Sequence, residues 1–547
     1  MHSGKVKSGS VLQQTSRCGT VLQKKPPVFV REATGLVREV GAWPSFMAVL
    51  ALVTGGVPVA WVALMYTTPG ANWPLAYLIP FVPSLLMAAL FTQVGTSMPR
   101  SGGDYVFTTR GINPYVGFVN YWGVAAAYII SAGVWSFYTG TYIGYVTASV
   151  GAFYNIPAVA SAGTFLGETW PSFALATAVL IVSFFLSVIK PRHTWAIIFW
   201  TGVISLICTA VMFVALAGVN ASSFAASYNS FMGNATAYNS VIQTGGVTAP
   251  PNAMLATAAS LPIVWFYYTW YNLPTTWSGE MKNVRKSMPI AILVSLTVIA
   301  VYYILMAVIF THAFGQPFLE NWGSLASTGN EPVPGVGGFI PFFALLVYKS
   351  PLLFAIMFVA LWFPIFFEFP PLLISQTRYL FAWSFDRILP DKIASVSERF
   401  HTPIIATVIV TIIGVISAGI MAFGSVGYSG EYATLSFTMF SFAFIIPAIA
   451  GIVFPFRKKQ LYETAFVWKK KILKLPLLTW LGLGSAVYLI YSTYLSYVSG
   501  TLPINSFSMT MYGSIYGLGV LVIIVSYVVN RRRGLPLDLV FKQIPPE

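Results

Sequence analysis

The stretch PSFMAVLALVTGGVPVAWVALMY, residues 44–66, carries no charged side chain and decides the fold class. About 20 consecutive apolar residues let an α-helix cross the hydrocarbon core of a bilayer. Thr54-Gly55-Gly56-Val57-Pro58 interrupts the stretch near its middle, and glycine and proline both destabilise a helix. We therefore predict a membrane helix that is unwound at mid-membrane, where irregular backbone is tolerated if it is buried in protein or lines a cavity.

The composition of the whole chain agrees with this interpretation. Only 8% of its 547 residues are charged, against roughly 25% in soluble proteins, and the mean hydropathy is +0.74. A soluble surface cannot be built from so few charges, so we predict an all-α integral membrane protein with 12 transmembrane helices. The apolar runs cover residues 40–66, 75–98, 115–150, 171–189, 194–219, 254–277, 288–314, 351–377, 403–424, 432–455, 475–498 and 509–530.

The basic residues test this count independently. Every Lys and Arg except Lys349 falls in a tail or loop that twelve spans place on the same side as the N-terminus. The positive-inside rule then puts both termini in the cytoplasm, and we expect a multi-pass protein of the plasma membrane. The net charge of +15 is thus an orientation signal and does not indicate a nucleic-acid partner. Two sequons, at Asn220 and Asn234, lie in a predicted external loop, and the sequence leaves their glycosylation open.

A second interrupted helix follows five helices after the first. Residues 260–274 read SLPIVWFYYTWYNLP, so Pro262 and Pro274 bracket a stretch in which hydroxyls and an amide lie among aromatic rings. Two breaks five helices apart are the pattern of two inverted five-helix repeats with substrate bound between them at the midplane. A kink or close helix packing is the simpler alternative for the first break, and an aromatic stripe that belongs to the core is the simpler alternative for the second.

Three motifs between the spans carry a family resemblance. They are Met98-Pro-Arg-Ser-Gly-Gly-Asp-Tyr105, then Ser278-Gly-Glu-Met-Lys-Asn283 with Pro289, and Arg378-Tyr-Leu-Phe-Ala-Trp-Ser-Phe-Asp386 with Pro390. Together they resemble the amino acid–polyamine–organocation superfamily, amino acid permeases in particular, over roughly residues 36–530. The resemblance implies a fold like that of the bacterial leucine transporter, with an inverted 5+5 repeat plus two helices, and transport by alternating access.

This resemblance divides the chain into seven parts. The repeats are the first to fifth and the sixth to tenth helices, and basic segments precede and follow them. The predicted boundaries are a cytosolic tail over 1–35, a first repeat over 36–219, an external loop over 220–253, a second repeat over 254–455, a basic cytosolic loop over 456–474, the last two helices over 475–530 and a cytosolic tail over 531–547.

The resemblance also implies a binding site at the two breaks. The glycine-rich first break would bind a substrate carboxylate, and carbonyls of the second break would accept its ammonium. Trp270 stands where the family usually has glycine, so the pocket for the substrate side chain does not follow by analogy. The implied substrate-binding residues are Thr54, Gly55, Gly56, Phe266, Tyr267, Tyr268, Thr269 and Asn272, and the implied gate residues are Trp265, Phe266 and Trp270.

Glu368 is a charged residue inside the eighth apolar run. It precedes Arg378 by ten residues, which puts it roughly 15 Å deep at helical rise. A carboxylate at that depth is expensive and is expected to serve function. We expect it to bind Na⁺, carry a coupling proton or pair with an amine substrate, and a structural hydrogen-bonded acid is the alternative. Nearer the inner mouth, Arg100, Asp104 and Arg110 are expected to pair with one another, either as part of a gate or simply for orientation and solvation.

The sequence therefore predicts a secondary transporter for amino acids, coupled to H⁺ or Na⁺. A polyamine or organic-cation carrier with Glu368 as counter-charge is the first alternative, and a membrane amino acid sensor is the second. We expect no enzymatic activity, no catalytic residues, no metal site and no cofactor beyond the coupling ion. The expected partners are a small amino acid or amine and the lipid bilayer, and the oligomeric state is left open.

Overall fold

The structure is a computed structural model that describes residues 35–424, 426–467, 469–500, 504–535 and 537–545. The predicted tail over 1–35 lies outside these residues except for its last position. The class of an all-α membrane protein is confirmed, and the count of twelve spans stays a prediction. Within the described residues nine helices are long and apolar enough to cross a membrane: Trp73–Ser97, Pro114–Phe153, Thr169–Val188, Pro191–Ala217, Val284–Phe314, Pro351–Phe385, Ile404–Phe423, Glu431–Arg457 and Ser506–Arg532.

The first half of the chain builds ten helices. Asparagine caps several of them, because its side chain accepts from backbone N–H groups that the first turn leaves without partners. Asn72 accepts from the Leu75 amide, and Asn113 accepts from the amides of Tyr115 and Val116. The helices are α1 (Ala42–Thr54), α2 (Val57–Leu64), α3 (Trp73–Ser97), α4 (Gly103–Gly111), α5 (Pro114–Phe153), α6 (Pro157–Gly167), α7 (Thr169–Val188), α8 (Pro191–Ala217), α9 (Ala221–Met232) and α10 (Ala237–Thr244), with a 3₁₀ turn at Met65–Thr67.

The second half builds fourteen more helices and one short hairpin, in which β1 (Lys471–Ile472) pairs antiparallel with β2 (Leu475–Pro476). A π-helical turn at Ile290–Val294 joins α12 to α13, and further 3₁₀ turns cover Leu273–Thr275, Ser278–Glu280 and Asp391–Ala394. The helices are α11 (Ala253–Tyr267), α12 (Val284–Pro289), α13 (Ser295–Phe314), α14 (Gln316–Ser327), α15 (Ile340–Tyr348), α16 (Pro351–Phe367), α17 (Phe369–Phe385), α18 (Ile404–Phe423), α19 (Val426–Ala443), α20 (Ile445–Arg457), α21 (Lys459–Tyr462), α22 (Leu477–Val498), α23 (Ser506–Arg532) and α24 (Leu537–Lys542).

The interrupted helices occupy the interior of the bundle. Helix α1 packs against α8, α13 and α16, and α11 packs against α3 and α22. The 40-residue helix α5 packs against α6, α7, α18 and α19. By contrast, outer helices leave apolar side chains uncovered, such as Val214 at 77% exposure. Exposed apolar faces on many helices are what a lipid environment requires.

Candidate functional site

The first predicted break is present in the structure. Helix α1 ends at Thr54 and α2 begins at Val57, so Gly55 and Gly56 form the interruption. The two glycines are needed for close approach, because a Cβ on Gly55 would collide with the Glu368 carboxylate and a Cβ on Gly56 would collide with the Trp135 ring. The sequence places glycine where another helix and a carboxylate reach the backbone.

The second break follows α11, which ends at Tyr267. An irregular turn covers residues 268–272 before the 3₁₀ turn at Leu273–Thr275. Trp270 at the centre of this turn adopts a positive φ of 78°, a backbone conformation that favours glycine. This chain therefore makes a left-handed turn with tryptophan at the position where the resemblance implies glycine.

Residues of both breaks line one cavity, whose empty space of about 260 Å³ includes a part that is open to the outside. Among the described residues that line the cavity, Glu368 is the one with a charged side chain. It lies between α16 and α17 and is 1% exposed. Its Oε1 has no hydrogen-bond partner among the described residues. The wall consists of Leu52, Val53, Gly56, Val57, Trp135, Phe266, Tyr267, Thr269, Trp270 and Glu368.

Five residues predicted at the site lie outside this wall. One is Gly55, whose backbone the Glu368 carboxylate approaches, and the other four make contacts elsewhere. The Thr54 hydroxyl donates to the Leu50 carbonyl one turn earlier. The Tyr268 hydroxyl donates to the Tyr77 carbonyl on α3. Trp265 packs edge to face on Phe444, with ring centroids 6.2 Å apart. The fourth, Asn272, belongs to a polar cluster nearer the predicted cytosolic end.

Tyr303 joins the two breaks and was not predicted from the sequence. Its buried hydroxyl lies 2.5 Å from the Val53 carbonyl, to which it donates, and 3.0 Å from the Tyr267 carbonyl. Unwound helices leave carbonyls without the amide partners of a regular turn, and a hydroxyl from α13 supplies a donor to both. Trp135 on α5 was also not predicted. A lone aromatic residue in an apolar helix gives no signal in the sequence that it reaches a glycine on another helix.

Beyond the second break lies a charged layer, which we define by Asp104, Arg110, Glu280, Arg378 and Asp386. All five side chains are buried. Two bidentate ion pairs form within it, since Arg110 contacts both oxygens of Asp386 at 2.7 and 2.6 Å and Arg378 contacts both oxygens of Glu280 at 2.6 and 2.8 Å. The three sequence motifs thus supply four of these charges, and Arg110 follows the first motif by five residues.

Asp104 forms the third part of the charged layer. Its Oδ2 accepts from Asn272 Nδ2 at 3.0 Å and from the Tyr379 hydroxyl at 2.9 Å. The Asn272 Oδ1 in turn accepts from the Tyr128 hydroxyl at 2.6 Å. Burial raises the pKa of Asp104 to about 6, although the hydrogen bonds from Asn272 and Tyr379 act in the opposite direction. The chain directly after the second break is therefore tied to α4, α5 and α17.

The expected pairing of Arg100, Asp104 and Arg110 with one another is wrong. Arg110 pairs with Asp386 across the layer, because the planar guanidinium meets both carboxylate oxygens there. Arg100 donates from Nε to the Pro545 carbonyl at 2.7 Å. These residues are close in sequence, but Arg100 precedes α4 while Asp104 and Arg110 lie on it, and the three side chains reach different partners.

The C-terminal helix α24 covers the charged layer. Phe541 is 5% exposed and lies under the Arg110 guanidinium at 5.3 Å from the ring centroid. Arg110 also donates from Nε to the Gln543 carbonyl at 3.3 Å. The predicted C-terminal tail over 531–547 therefore includes a packed segment at residues 537–545.

A metal centre finds little support in the side chains. Among the described residues no group of three or more His, Cys, Asp and Glu lies close enough together to hold a metal ion. The described part of the cavity wall has a single carboxylate, that of Glu368.

Comparison with known proteins points to one family. The family model described as "Amino acid permease" matches residues 41–525. The branched-chain amino acid permease BcaP of Bacillus subtilis (strain 168) is 24% identical over 458 residues, which is 81% of this chain and 86% of that protein. The methylthioribose transporter of the same organism is 24% identical over 84% of this chain and 95% of its own length. The human cationic amino acid transporter 4 is 22% identical over 66% of this chain and 52% of its own length.

Proposed function

The chain belongs to the amino acid permease family, a family of transporters and not of enzymes, and on that premise we propose that it carries an amino acid across the membrane by alternating access with H⁺ or Na⁺ coupling. The observation that carries this proposal is the single cavity that contains both helix breaks and Glu368. Unwound backbone at mid-membrane offers amide and carbonyl groups to a zwitterion, and a buried carboxylate without a partner offers a site for a cation.

For the fold we propose twelve spans arranged as an inverted 5+5 repeat plus two helices. Each of the twelve apolar runs coincides with a helix or an interrupted helix in the structure, as residues 475–498 do with α22. The two interruptions lie five spans apart in that arrangement. The proposed orientation, with both termini in the cytoplasm and the protein in the plasma membrane, is supported by the placement of Lys and Arg.

In the proposed binding mode the amino acid lies between the breaks. Its carboxylate meets backbone amides near Gly55 and Gly56, where the half-helix α2 begins and its dipole favours an anion. Its ammonium faces carbonyls of the second break. Leu52, Val53, Val57 and the aromatic residues around them surround the side chain, which suits a neutral amino acid with an apolar side chain.

Glu368 is the proposed coupling residue. Burial without a partner is costly for a carboxylate, so a proton or Na⁺ that neutralises it stabilises this arrangement of α1, α16 and α17. The Glu368 side chain lies where a Cβ on Gly55 would be. Binding of the ion at Glu368 and binding of substrate at the first break are therefore adjacent events.

The charged layer is the proposed closed side of the transport cycle. Its two buried ion pairs and the Asp104 cluster join α4, α5 and α17 with the segment after the second break. Alternating access then requires these contacts to separate when the cavity opens toward the predicted cytosolic end, and α24 to move off Arg110.

A second candidate is a carrier of organic cations. One observation favours it, since the described wall of the cavity has one acidic side chain and no basic one. In that case Glu368 pairs with the amine of the substrate. The substrate would then resemble that of the relative named cationic amino acid transporter 4 more than that of the branched-chain amino acid permease.

The proposal is tested by uptake of labelled amino acids and polyamines into proteoliposomes under an imposed H⁺ or Na⁺ gradient. We expect neutral amino acids to accumulate in the wild type under one of the two gradients. Glu368→Gln should fold and should lose accumulation against a gradient. Glu320→Gln is the matched control, because Glu320 is a buried carboxylate outside the cavity that accepts from the Gly70 amide and from Gln316.

Three outcomes separate the candidates. Accumulation of polyamines without amino acids would establish the organic-cation carrier. Binding of amino acids without flux under any gradient would establish a sensor and overturn transport. Unchanged accumulation and unchanged ion dependence in Glu368→Gln would remove Glu368 from the coupling step.

A further inference from the structure

Trp270 combines three properties that ordinary packing does not require. Its backbone is left-handed, with a φ of 78°, although bulky residues rarely adopt that conformation. The other described non-glycine residues with positive φ are partly or fully exposed, whereas Trp270 is 4% exposed. Such strain persists where the surrounding structure holds it in place, and it is concentrated at functional sites.

The indole of Trp270 also has an unused donor. Its Nε1 is buried and has no hydrogen-bond partner among the described residues. Buried polar groups are nearly always hydrogen-bonded, and an exception in a native structure calls for an explanation. The ring meets Tyr128 edge to face at 6.1 Å, which is an apolar contact and leaves the N–H unsatisfied.

The position of the ring connects these two properties. Trp270 lines the same cavity as Glu368 and the first break. Among the described residues of the wall, Trp270 carries a buried indole N–H without a partner and Glu368 carries a buried carboxylate oxygen without one. The indole fills space that a smaller residue at this turn would leave open, and glycine is the residue the backbone conformation favours.

From these observations we propose that Trp270 determines substrate specificity: its indole limits the cavity to amino acids with short side chains, and its N–H donates to a polar atom of the bound substrate. This inference rests on the proposed function, since it names the substrate class of the same cavity. The class comprises amino acids up to about the size of valine and leucine and excludes phenylalanine and tryptophan.

The test is Trp270→Gly, assayed for uptake of alanine, valine, phenylalanine and tryptophan into proteoliposomes. The variant should fold but lose thermal stability, because deletion of the buried indole leaves a cavity, although glycine adopts φ of 78° without strain. We expect the ratio of phenylalanine to alanine uptake to rise about tenfold or more, since loss of a whole ring exceeds the effect of one methylene on selectivity. Trp270→Asn is a second variant with a small side chain, because asparagine tolerates left-handed backbone.

Two further variants distinguish the effect of the indole's size from the effect of its hydrogen bond and from a general loss of stability. Trp270→Phe keeps most of the bulk and removes the N–H, so it should still exclude phenylalanine while the KM for alanine rises. Trp73→Ala removes another buried indole, which packs edge to face on Trp61 and lies outside the cavity wall. It should lower thermal stability and leave the selectivity ratio unchanged.

The inference and the proposed function fail in different ways. If the wild type takes up no amino acid, the proposed function fails whatever Trp270 does. If the wild type transports amino acids and folded Trp270→Gly and Trp270→Asn keep its selectivity ratio, Trp270 does not determine specificity. Wild-type uptake of phenylalanine as good as that of alanine would overturn the size limit directly.

Discussion

The cavity and the charged layer both bury carboxylates, and they treat them in opposite ways. Glu280 and Asp386 each meet an arginine through two short contacts, and Asp104 accepts from Asn272 and Tyr379. Glu368 is equally buried, yet its Oε1 has no partner among the described residues. The difference indicates that the charged layer uses its acids to hold helices together, while the cavity keeps its acid available for a ligand.

The largest effect that this comparison predicts is the loss of stability when one buried ion pair is broken. Arg378→Ala leaves Glu280 buried without its partner, and removing one member of a buried pair costs about 3–5 kcal/mol. Thermal unfolding of the purified protein in detergent measures the loss. Arg399→Ala is the surface control, because Arg399 is exposed, and it should change stability little.

A double variant sharpens the same test. Arg378→Met with Glu280→Leu replaces the pair by apolar side chains and should regain most of the lost stability, because a buried pair and a well-packed apolar pair are close in free energy. A stability loss in Arg378→Ala no larger than in Arg399→Ala would show that the pair does not hold the charged layer together.

The next effect concerns the approach of Glu368 to the first break. Gly55→Ala adds a methyl group at the position of the Glu368 carboxylate, and overpacking of this kind costs about 1–3 kcal/mol. We expect weaker substrate binding and altered ion dependence of uptake. Gly517→Ala is the control, since a Cβ on Gly517 in α23 meets nothing within 4 Å. Unaltered binding in Gly55→Ala would mean that the break is a kink without a role in binding.

Tyr303→Phe tests whether one hydroxyl holds the two breaks together. The variant removes the donor to the Val53 and Tyr267 carbonyls, and an unsatisfied buried acceptor costs about 1–3 kcal/mol. Substrate affinity, measured by ligand-induced thermal shift, should fall more than it does in Tyr302→Phe. Tyr302 is the adjacent, half-buried residue, and equal effects of the two variants would contradict the bridging role.

The sequence could predict the helices and the breaks but not which side chains meet across them. Run 351–377 corresponds to α16 and α17, and the interruption at Gly55 and Gly56 lies where the composition puts it. These features follow from local hydropathy and helix propensity. The approach of Glu368 to Gly55 joins residues more than 300 positions apart, and no local pattern encodes such a contact.

The charged layer shows the same limit. The motifs contain Asp104, Glu280, Arg378 and Asp386, and Arg110 is predicted at the inner mouth beside them, so the sequence supplies the right residues. It suggests the wrong partners, because nearness along the chain is a poor guide where a short helix spreads its side chains around its axis. The pairing is decided by how α4 lies against α17 and the segment after the second break.

The smallest predicted effect is a pH dependence that belongs to the charged layer and not to the cavity. Burial raises the pKa of Asp104 to about 6, above the ordinary value of about 4. Asp104 therefore takes up a proton more readily in the folded protein than in the unfolded chain. The resulting stabilisation is fully present below the ordinary pKa and is lost as pH rises through about 6, so wild-type stability should gain about 1 kcal/mol from Asp104 between pH 7.5 and pH 5.

Thermal unfolding of wild type and Asp104→Asn across this range isolates the contribution of Asp104 to stability. The variant cannot titrate at this position, so it should gain less stability on acidification. Equal gains in both proteins would show that Asp104 keeps an ordinary pKa and that hydrogen bonds from Asn272 and Tyr379 offset its burial.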